Sequence, residues 1–279
     1  MRGLALALVF CGACADSPLS LDAAVAVDAG TDAAVATPDM AVDLDKPLAF
    51  VTVASTPKSA TGTATFLPSG SPFVCNTVSD GNCTFYDCQP RPGPDGGAPA
   101  VQPNPGAVDI TGGADSVHLA PAADGYYDLV HVATALYSGG ETLHVVAAGG
   151  TVPAFSGDVT APAAAHVTAP AYPTGDYALD RRLPQTFTWT VLTDEQVLVT
   201  FGGDTALPIE VECVFKGSAG TGTVPTTLLA HLPVGGGYFE VKSRRDQLLP
   251  VGVWQVTLRA DSAAVSSAGK VFSGATKIQ

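Results

Sequence analysis

At 279 residues the chain can bury a sizeable core without help from a metal or disulfides, as one large domain or two ordinary ones. Its 13 Lys and Arg against 26 Asp and Glu give a formal charge of -13, which repels nucleic acid phosphates and excludes nucleic acid as a partner. Charged residues make up only 14% of the chain beside 30 Gly and 22 Pro, and Thr, Val and Ala dominate the rest, a composition that suits strands and turns and predicts an all-β protein.

The amino terminus has the layout of an export signal: Arg2 is basic, Gly3 to Phe10 is a short apolar run, and small residues follow. The run is too short to span a bilayer as a mature helix. Cys11-Gly-Ala-Cys14 has C-x-x-C spacing, but no βαβ unit surrounds it to make it a redox site, and no second Cys or His pair nearby completes the roughly four ligands of a zinc site. Gly12-Ala13-Cys14 instead resembles the lipobox of bacterial lipoproteins, with Cys11 where Leu is usual. That resemblance implies cleavage after residue 13, acylation of Cys14, and an outer-membrane or surface address, since Ala15 rather than Asp follows the cysteine. Modification of Cys11, plain secretion and an uncleaved anchor are the alternatives.

Residues 14–46 are built mainly from Ala, Val, Asp, Pro and Thr, with seven Asp and no basic residue between Ala15 and Lys46. Without an aromatic contact or a helical period, this stretch reads as a disordered, self-repelling tether whose ends lie on the order of 30 Å apart. The folded part follows. Period-2 alternation, with one buried face each, predicts strands at 48–55, 61–66, 107–111, 126–133, 141–148, 155–160, 186–191, 196–201, 209–215, 238–244 and 253–258, and a single helical turn near Thr226 to Ala230. Short strands separated by Gly, Pro, Asp and Ser clusters predict antiparallel β-sandwiches, of immunoglobulin-like type, with a barrel as the alternative. A Pro- and Ala-rich stretch at 160–173 suggests a boundary, giving sandwich units at 47–165 and 166–279, with one composite sandwich as the rival.

Cys75, Cys83, Cys88 and Cys213 remain after the signal, and an exported chain favours two bridges. Asp80-Gly81 reads as the turn of a hairpin in which Cys75 faces Tyr86, so that Cys75 and Cys88 share a face while Cys83 points to the other. Of the three possible pairings this favours Cys75–Cys88 and Cys83–Cys213, the second of which ties the two halves together.

No catalytic constellation emerges, and no metal or cofactor is predicted. His131 and His144, on successive predicted strands, are the best acid/base or metal pair, set against ordinary half-buried histidines. Asp194-Glu195 and Glu210/Glu212 are acid pairs of the kind a glycosidase uses, but Glu210 and Glu212 alternate with buried residues and read as a solvated face. No G-x-S-x-G is present, and Gly217 to Gly222 lacks the Lys and helix of a phosphate loop. Tyr126, Tyr127 and Tyr238, beside glycine-rich turns, are the candidates for a sugar- or peptide-binding platform.

The stretches Gly139-Gly-Glu-Thr-Leu143, Gly149-Gly-Thr-Val-Pro-Ala-Phe155, Thr160-Ala-Pro162, Phe187-Thr-Trp-Thr190 and Cys213-Val-Phe-Lys-Gly-Ser-Ala-Gly-Thr-Gly-Thr-Val-Pro225 resemble those of bacterial, myxobacterial-type surface lipoproteins with an Asp/Ala-rich tether and a β-sandwich body. The resemblance implies the fold and brings no catalytic residue with it. The expected function is therefore a non-enzymatic lipoprotein, anchored to the membrane through its lipid, that presents a binding module to an envelope glycan or protein. A hydrolase with an unrecognised carboxylate site and a structural spacer are the alternatives.

Overall fold

The computed structural model describes residues 46–68, 73–90 and 101–279. The signal, Cys11, Cys14 and nearly all of the tether lie outside these residues. In chain order the first strands are β1 (Leu48–Ser55), β2 (Ala60–Leu67), β3 (Phe73–Asp80), β4 (Cys83–Pro90), β5 (Val108–Thr111), β6 (Val117–Leu119), β7 (Val130–Val132), β8 (Thr142–Ala147) and β9 (Phe155–Thr160). They continue as β10 (His166–Ala169), β11 (Tyr177–Leu179), β12 (Gln185–Trp189), β13 (Gln196–Gly203), β14 (Ile209–Lys216), β15 (Thr221–Val224), the helical turn α1 (Thr226–Leu229), β16 (Gly235–Val251), β17 (Trp254–Ala263), β18 (Val265–Ser266) and β19 (Ser273–Ile278). The protein is all-β.

One 11-stranded sheet runs in the order β3-β4-β14-β13-β16-β17-β1-β2-β7, with β19 also paired to β16 and β11 to β19. It can extend so far because β16 is 17 residues long and changes partner along its length. One edge of β16 pairs with β13, while the other pairs with β19 over Gly235 to Glu240 and then with β17 from Lys242 to Val251. Gly237 is needed for the close approach of β13, since a Cβ there would lie 2.3 Å from the Gly202 carbonyl oxygen.

Two smaller sheets cover the large one. The sheet β6-β5-β8-β9 encloses, with β1, β2 and β17, a first core that includes Val51, Phe66, Ile110, Leu143, Trp254 and Leu258. Its alternation is regular: β5 reads buried, exposed, buried, exposed, and β8 follows the same rule. The sheet β15-β12-β10-β18 encloses a second core with β4, β13, β14 and the first half of β16. There Phe187, Phe201, Phe239 and Phe272 are all fully buried, and the Phe239 and Phe272 rings meet edge to face at 5.7 Å.

The chain crosses from the first core to the second between Ala161 and Ala165. Backbone carbonyls buried in that crossing need donors. Ser262 Oγ donates to the Pro162 carbonyl at 2.7 Å and Ser243 Oγ to the Ala163 carbonyl at 2.5 Å, which pins the crossing to β17 and β16. The two segments nonetheless share strands. The β3–β4 hairpin, from the first segment, pairs with β14 and contributes to the second core, while β17, from the second segment, pairs in parallel with β1 and builds the first core.

The hairpin turns at Gly81-Asn82, with Asp80 opposite Cys83 and Gly81 at φ 59°, so its register differs by two residues from the one expected. Cys75 faces Cys88 directly, and Thr77 faces Tyr86. A shift of two preserves which face each side chain occupies. Two disulfides result, Cys75–Cys88 across the hairpin and Cys83–Cys213 from β4 to β14, each joining residues directly opposite in an antiparallel ladder.

Candidate functional site

The far face of the large sheet, opposite the second core, is charged and buried. Alternation along β16 places Tyr238, Glu240, Lys242, Arg244 and Asp246 on that side, and β14 adds Glu210 and Glu212. Glu210 is 2% and Glu212 5% exposed, which corrects their reading as a solvated face. The physical reason lies in their neighbours: the Tyr238 hydroxyl donates to Glu210 Oε2 at 2.7 Å, and Glu212 lies in the field of Lys242 and Arg244.

Arg244 stands opposite Asp261 of β17 and donates to it through Nε at 2.8 Å and Nη2 at 3.1 Å. Lys242 Nζ lies 3.3 Å from both Glu240 and Asp261. One pair further along, Arg259 binds Asp246 with the same two-pronged geometry, at 3.0 and 3.1 Å, and stacks over Phe50 at 5.4 Å. Burial pushes the Asp261 carboxyl up, but the Arg244 guanidinium and the Lys242 ammonium outweigh it and hold Asp261 well below the usual carboxylate range. Burial pushes Lys242 down, and Glu240 and Asp261 outweigh it to leave the ammonium above its ordinary value. A general acid or base needs a group that changes protonation near working pH. Asp261, Lys242 and Arg244 are driven the other way, into fixed charges, and serve to lock β16 to β17.

A second pair ties a loop to the same strand. Glu195, 8% exposed, accepts from Arg245 Nη2 at 3.3 Å, while its neighbour Asp194 remains exposed with an oxygen 3.7 Å from the same nitrogen. Burial raises the Glu195 carboxyl, but backbone N–H groups, its own and that of Asp194, together with Arg245 bring it below its ordinary value. This acid pair shares one cation rather than facing another acid across a cleft.

The exposed counterpart is the outer face of β6-β5-β8-β9. Because these strands alternate, Asp109 and Thr111 on β5, His118 on β6, Thr142, His144 and Val146 on β8, and Ser156 and Asp158 on β9 all point outward. Two cross-strand His–Asp pairs order this surface: His118 Nδ1 lies 2.6 Å from Asp109, and His144 Nδ1 lies 2.7 Å from Asp158. Each hydrogen bond fixes a ring orientation and leaves Nε2 and the second carboxylate oxygen outside that contact. The outer face of the other small sheet is ordered in the same way by threonines. Thr168 bonds Thr188 at 2.8 Å and Thr186 bonds Thr223 at 2.9 Å, hydroxyl to hydroxyl.

His131 does not meet His144, which corrects that pairing. His131 sits on β7 opposite Thr61 in the large sheet, whereas His144 sits in the four-stranded sheet with Asp158. The three tyrosines do not form one platform either. Tyr127 is buried in the first core, 5.9 Å from Phe66, where it donates to the Gly106 carbonyl and burial pushes its hydroxyl up to about 12. Tyr126 is 49% exposed and holds Gln102 at 2.9 Å. Tyr238 lies on the charged face of the other unit, against Gly202. Among the described residues no group of three or more His, Cys, Asp or Glu is arranged to hold a metal ion. An open recess near α1 contains Arg181 and Arg182, but Arg181 donates to the Ala230 and Leu232 carbonyls and Arg182 grips Asp180. No described helix is long and apolar enough to cross a membrane.

No family model and no curated protein matches the chain. Among solved structures, it is similar to the tetra-tandem repeat in the extending region of a large adhesion protein, at 15% identity over 82% of this chain and 74% of that one, with a TM-score of 0.22. It is also similar to a structure concerned with host cell surface retention of a 1.5-MDa bacterial ice-binding adhesin, at 11% identity over 79% of this chain and 65% of that one, with a TM-score of 0.19. Scores of this size carry no argument about function.

Proposed function

We propose that the protein is a non-enzymatic binding module of the bacterial surface, held to the outer membrane by acylation of Cys14 and lifted from it by the acidic stretch at 14–46. The body presents an ordered polar sheet face to an envelope polysaccharide. The observation that carries this reading is the pair of His118–Asp109 and His144–Asp158 contacts on one exposed, antiparallel face. A hydroxyl-rich ligand needs donors and acceptors held at fixed spacing over a broad, shallow surface, and a pleated sheet with oriented imidazoles and carboxylates supplies them without ordering cost at the moment of binding. Supporting it, the buried acids Asp261 and Glu195 are engaged by arginines that hold the fold.

The test is a glycan array that includes cell-envelope polysaccharides, read alongside pull-down from envelope extract. Binding to a polysaccharide that weakens in the His118→Ala/His144→Ala variant supports the reading. Capture of a protein with no glycan signal moves the function to a protein partner, and silence in both assays leaves a spacer. For the anchor, intact mass of membrane-extracted protein shows acyl chains on Cys14; an unmodified soluble form or acylation at Cys11 contradicts it.

A further inference from the structure

We propose that the open edge of β3 is a self-association surface, on which a second copy of this chain pairs its own β3 antiparallel and continues the large sheet across a two-fold axis. β3 ends the sheet order, with β4 on one side and no strand on the other among the described residues. The hairpin register decides which backbone groups face outward. Asp80 and Cys83 flank a two-residue turn and are a hydrogen-bonded pair, so bonding to β4 alternates from there, and Cys75 opposite Cys88 is a non-bonded pair. In agreement, the Cys88 N–H turns away from β3 and donates to the Pro208 carbonyl at 3.0 Å. The N–H and C=O groups of Phe73, Cys75, Thr77 and Ser79 therefore point to the open edge.

Natural edge strands are guarded by lysine, proline or a bulge. β3 has none of these within Phe73-Val-Cys-Asn-Thr-Val-Ser-Asp80, pairs with β4 without a register shift, and carries one charge, at its end. It is also held rigid, since Cys75–Cys88 clamps it to β4 and Cys83–Cys213 clamps β4 to β14. Little ordering cost is left for docking.

What selects a second copy is the symmetry of the side chains. Antiparallel pairing through the outward groups matches Cys75 with Thr77 of the second copy and Thr77 with its Cys75, and places the two-fold axis at Asn76. In that register Val74 of each copy stands directly opposite Val78 of the other. Val74 is 50% and Val78 43% exposed, both on the same face, and the pairing covers all four valines with one another. Asp80 lies outside the symmetric pairs, so no like charges meet, although each copy carries a formal charge of -13. A single strand edge buries less than a standard interface, so the association is weak and concentration-dependent.

The test is sedimentation equilibrium of the full chain across a concentration series, with hydrogen exchange of the edge amides as a second readout. The expected result is a mass rising from 28.1 kDa toward twice that value, with the Cys75, Thr77 and Ser79 amides gaining protection as concentration rises. Thr77→Pro removes an outward N–H without touching a bond to β4 and is expected to weaken association at least about tenfold, because the loss occurs twice per dimer. Val74→Lys alone and Val78→Glu alone each weaken it, whereas Val74→Lys/Val78→Glu in one chain restores it, because the proposed register alone places each Lys opposite a Glu. A mass that stays at one chain throughout overturns the proposal. So does a double variant no better than the singles, or a Thr77→Pro variant that retains native disulfides and associates like the parent. None of these outcomes bears on glycan binding by the other face.

Discussion

Removing the Cys83–Cys213 bridge as the Cys83→Ala/Cys213→Ala pair tests how the hairpin is held to the body. The bridge spans 130 positions of sequence, whereas Cys75–Cys88 spans 13. In the chain-entropy account, closing the long loop restricts the unfolded chain by about 5 kcal/mol and closing the short one by about 3 kcal/mol. For a folded body of this size, 1 kcal/mol lowers Tm by roughly 2–4 °C, so the long-bridge variant should melt about 10–20 °C lower and the Cys75→Ala/Cys88→Ala variant about 6–12 °C lower. The assay can be confined to the relevant core. Trp189 belongs to the second core and Trp254 to the first, and the chain has 2 Trp, so a Trp254→Phe background leaves Trp189 fluorescence to report the second core alone. Urea titration of each pair variant in that background gives the difference. If the short-bridge variant loses as much stability as the long-bridge variant, or the long-bridge variant loses less than about 1 kcal/mol, loop closure is not what the second bridge contributes.

The folded value of Asp261 lies below its unfolded value of about 3.9, so its contribution is fully present above that value and is lost as pH falls through it toward the lower folded value. Acid titration of stability below about pH 4 should therefore show a loss that Asp261→Asn removes, and that variant should already be about 3–5 kcal/mol less stable at neutral pH, with Arg244 losing its two-pronged carboxylate and Lys242 one of its two. Gly202→Ala places a Cβ 2.2 Å from Tyr238 Cε1, displaces the ring from Glu210 and should cost about 2–4 kcal/mol in urea denaturation. Adding Tyr238→Ala to it should cost less than the sum of the two single changes. Phe187→Ala, at the fully buried centre of the second core, should cost about 3–5 kcal/mol and leave glycan binding by the first unit's outer sheet face unchanged.

Class and strand content were legible because the strands obey period 2 wherever one face meets a core, as in β5, β8 and β12. The reading failed where both faces are enclosed. β14 alternates Glu with apolar residues, yet its interior is buried on both sides, because cations on β16 make an enclosed charged layer stable. Alternation in one strand cannot show what a strand two places away in the sheet contributes. The sequence predicts β16 only at 238–244, since Gly235-Gly-Gly237 and Pro250 look like turns; Gly237 instead allows close approach to β13, Gly235 and Gly236 pair with β19, and the proline sits near the strand's end. β6, β10, β11, β15, β18 and β19 lie outside the predicted strands: β10 begins in a Pro- and Ala-rich stretch, most of the others are too short to show a period, and β10, β11, β18 and β19 gain order from partners distant in sequence. The hairpin shows the reverse case. Its register was misplaced by two residues, but an even shift keeps side chains on their faces, and the faces are what bear on which cysteines can meet. The His–Asp face was not legible at all: His118 and Asp109 are 9 residues apart, and His144 and Asp158 14 apart, on strands joined by loops of different length, so only the sheet register brings them opposite each other.

The most direct measurement of the account is an envelope-polysaccharide array probed with the wild-type chain and with His118→Ala/His144→Ala, after thermal melts show the variant folded. The account predicts polysaccharide binding by the wild type that the variant loses at least about tenfold, equivalent to about 1.4 kcal/mol at the ordered face. Equal binding by both proteins, or no polysaccharide signal from a folded wild type, contradicts it.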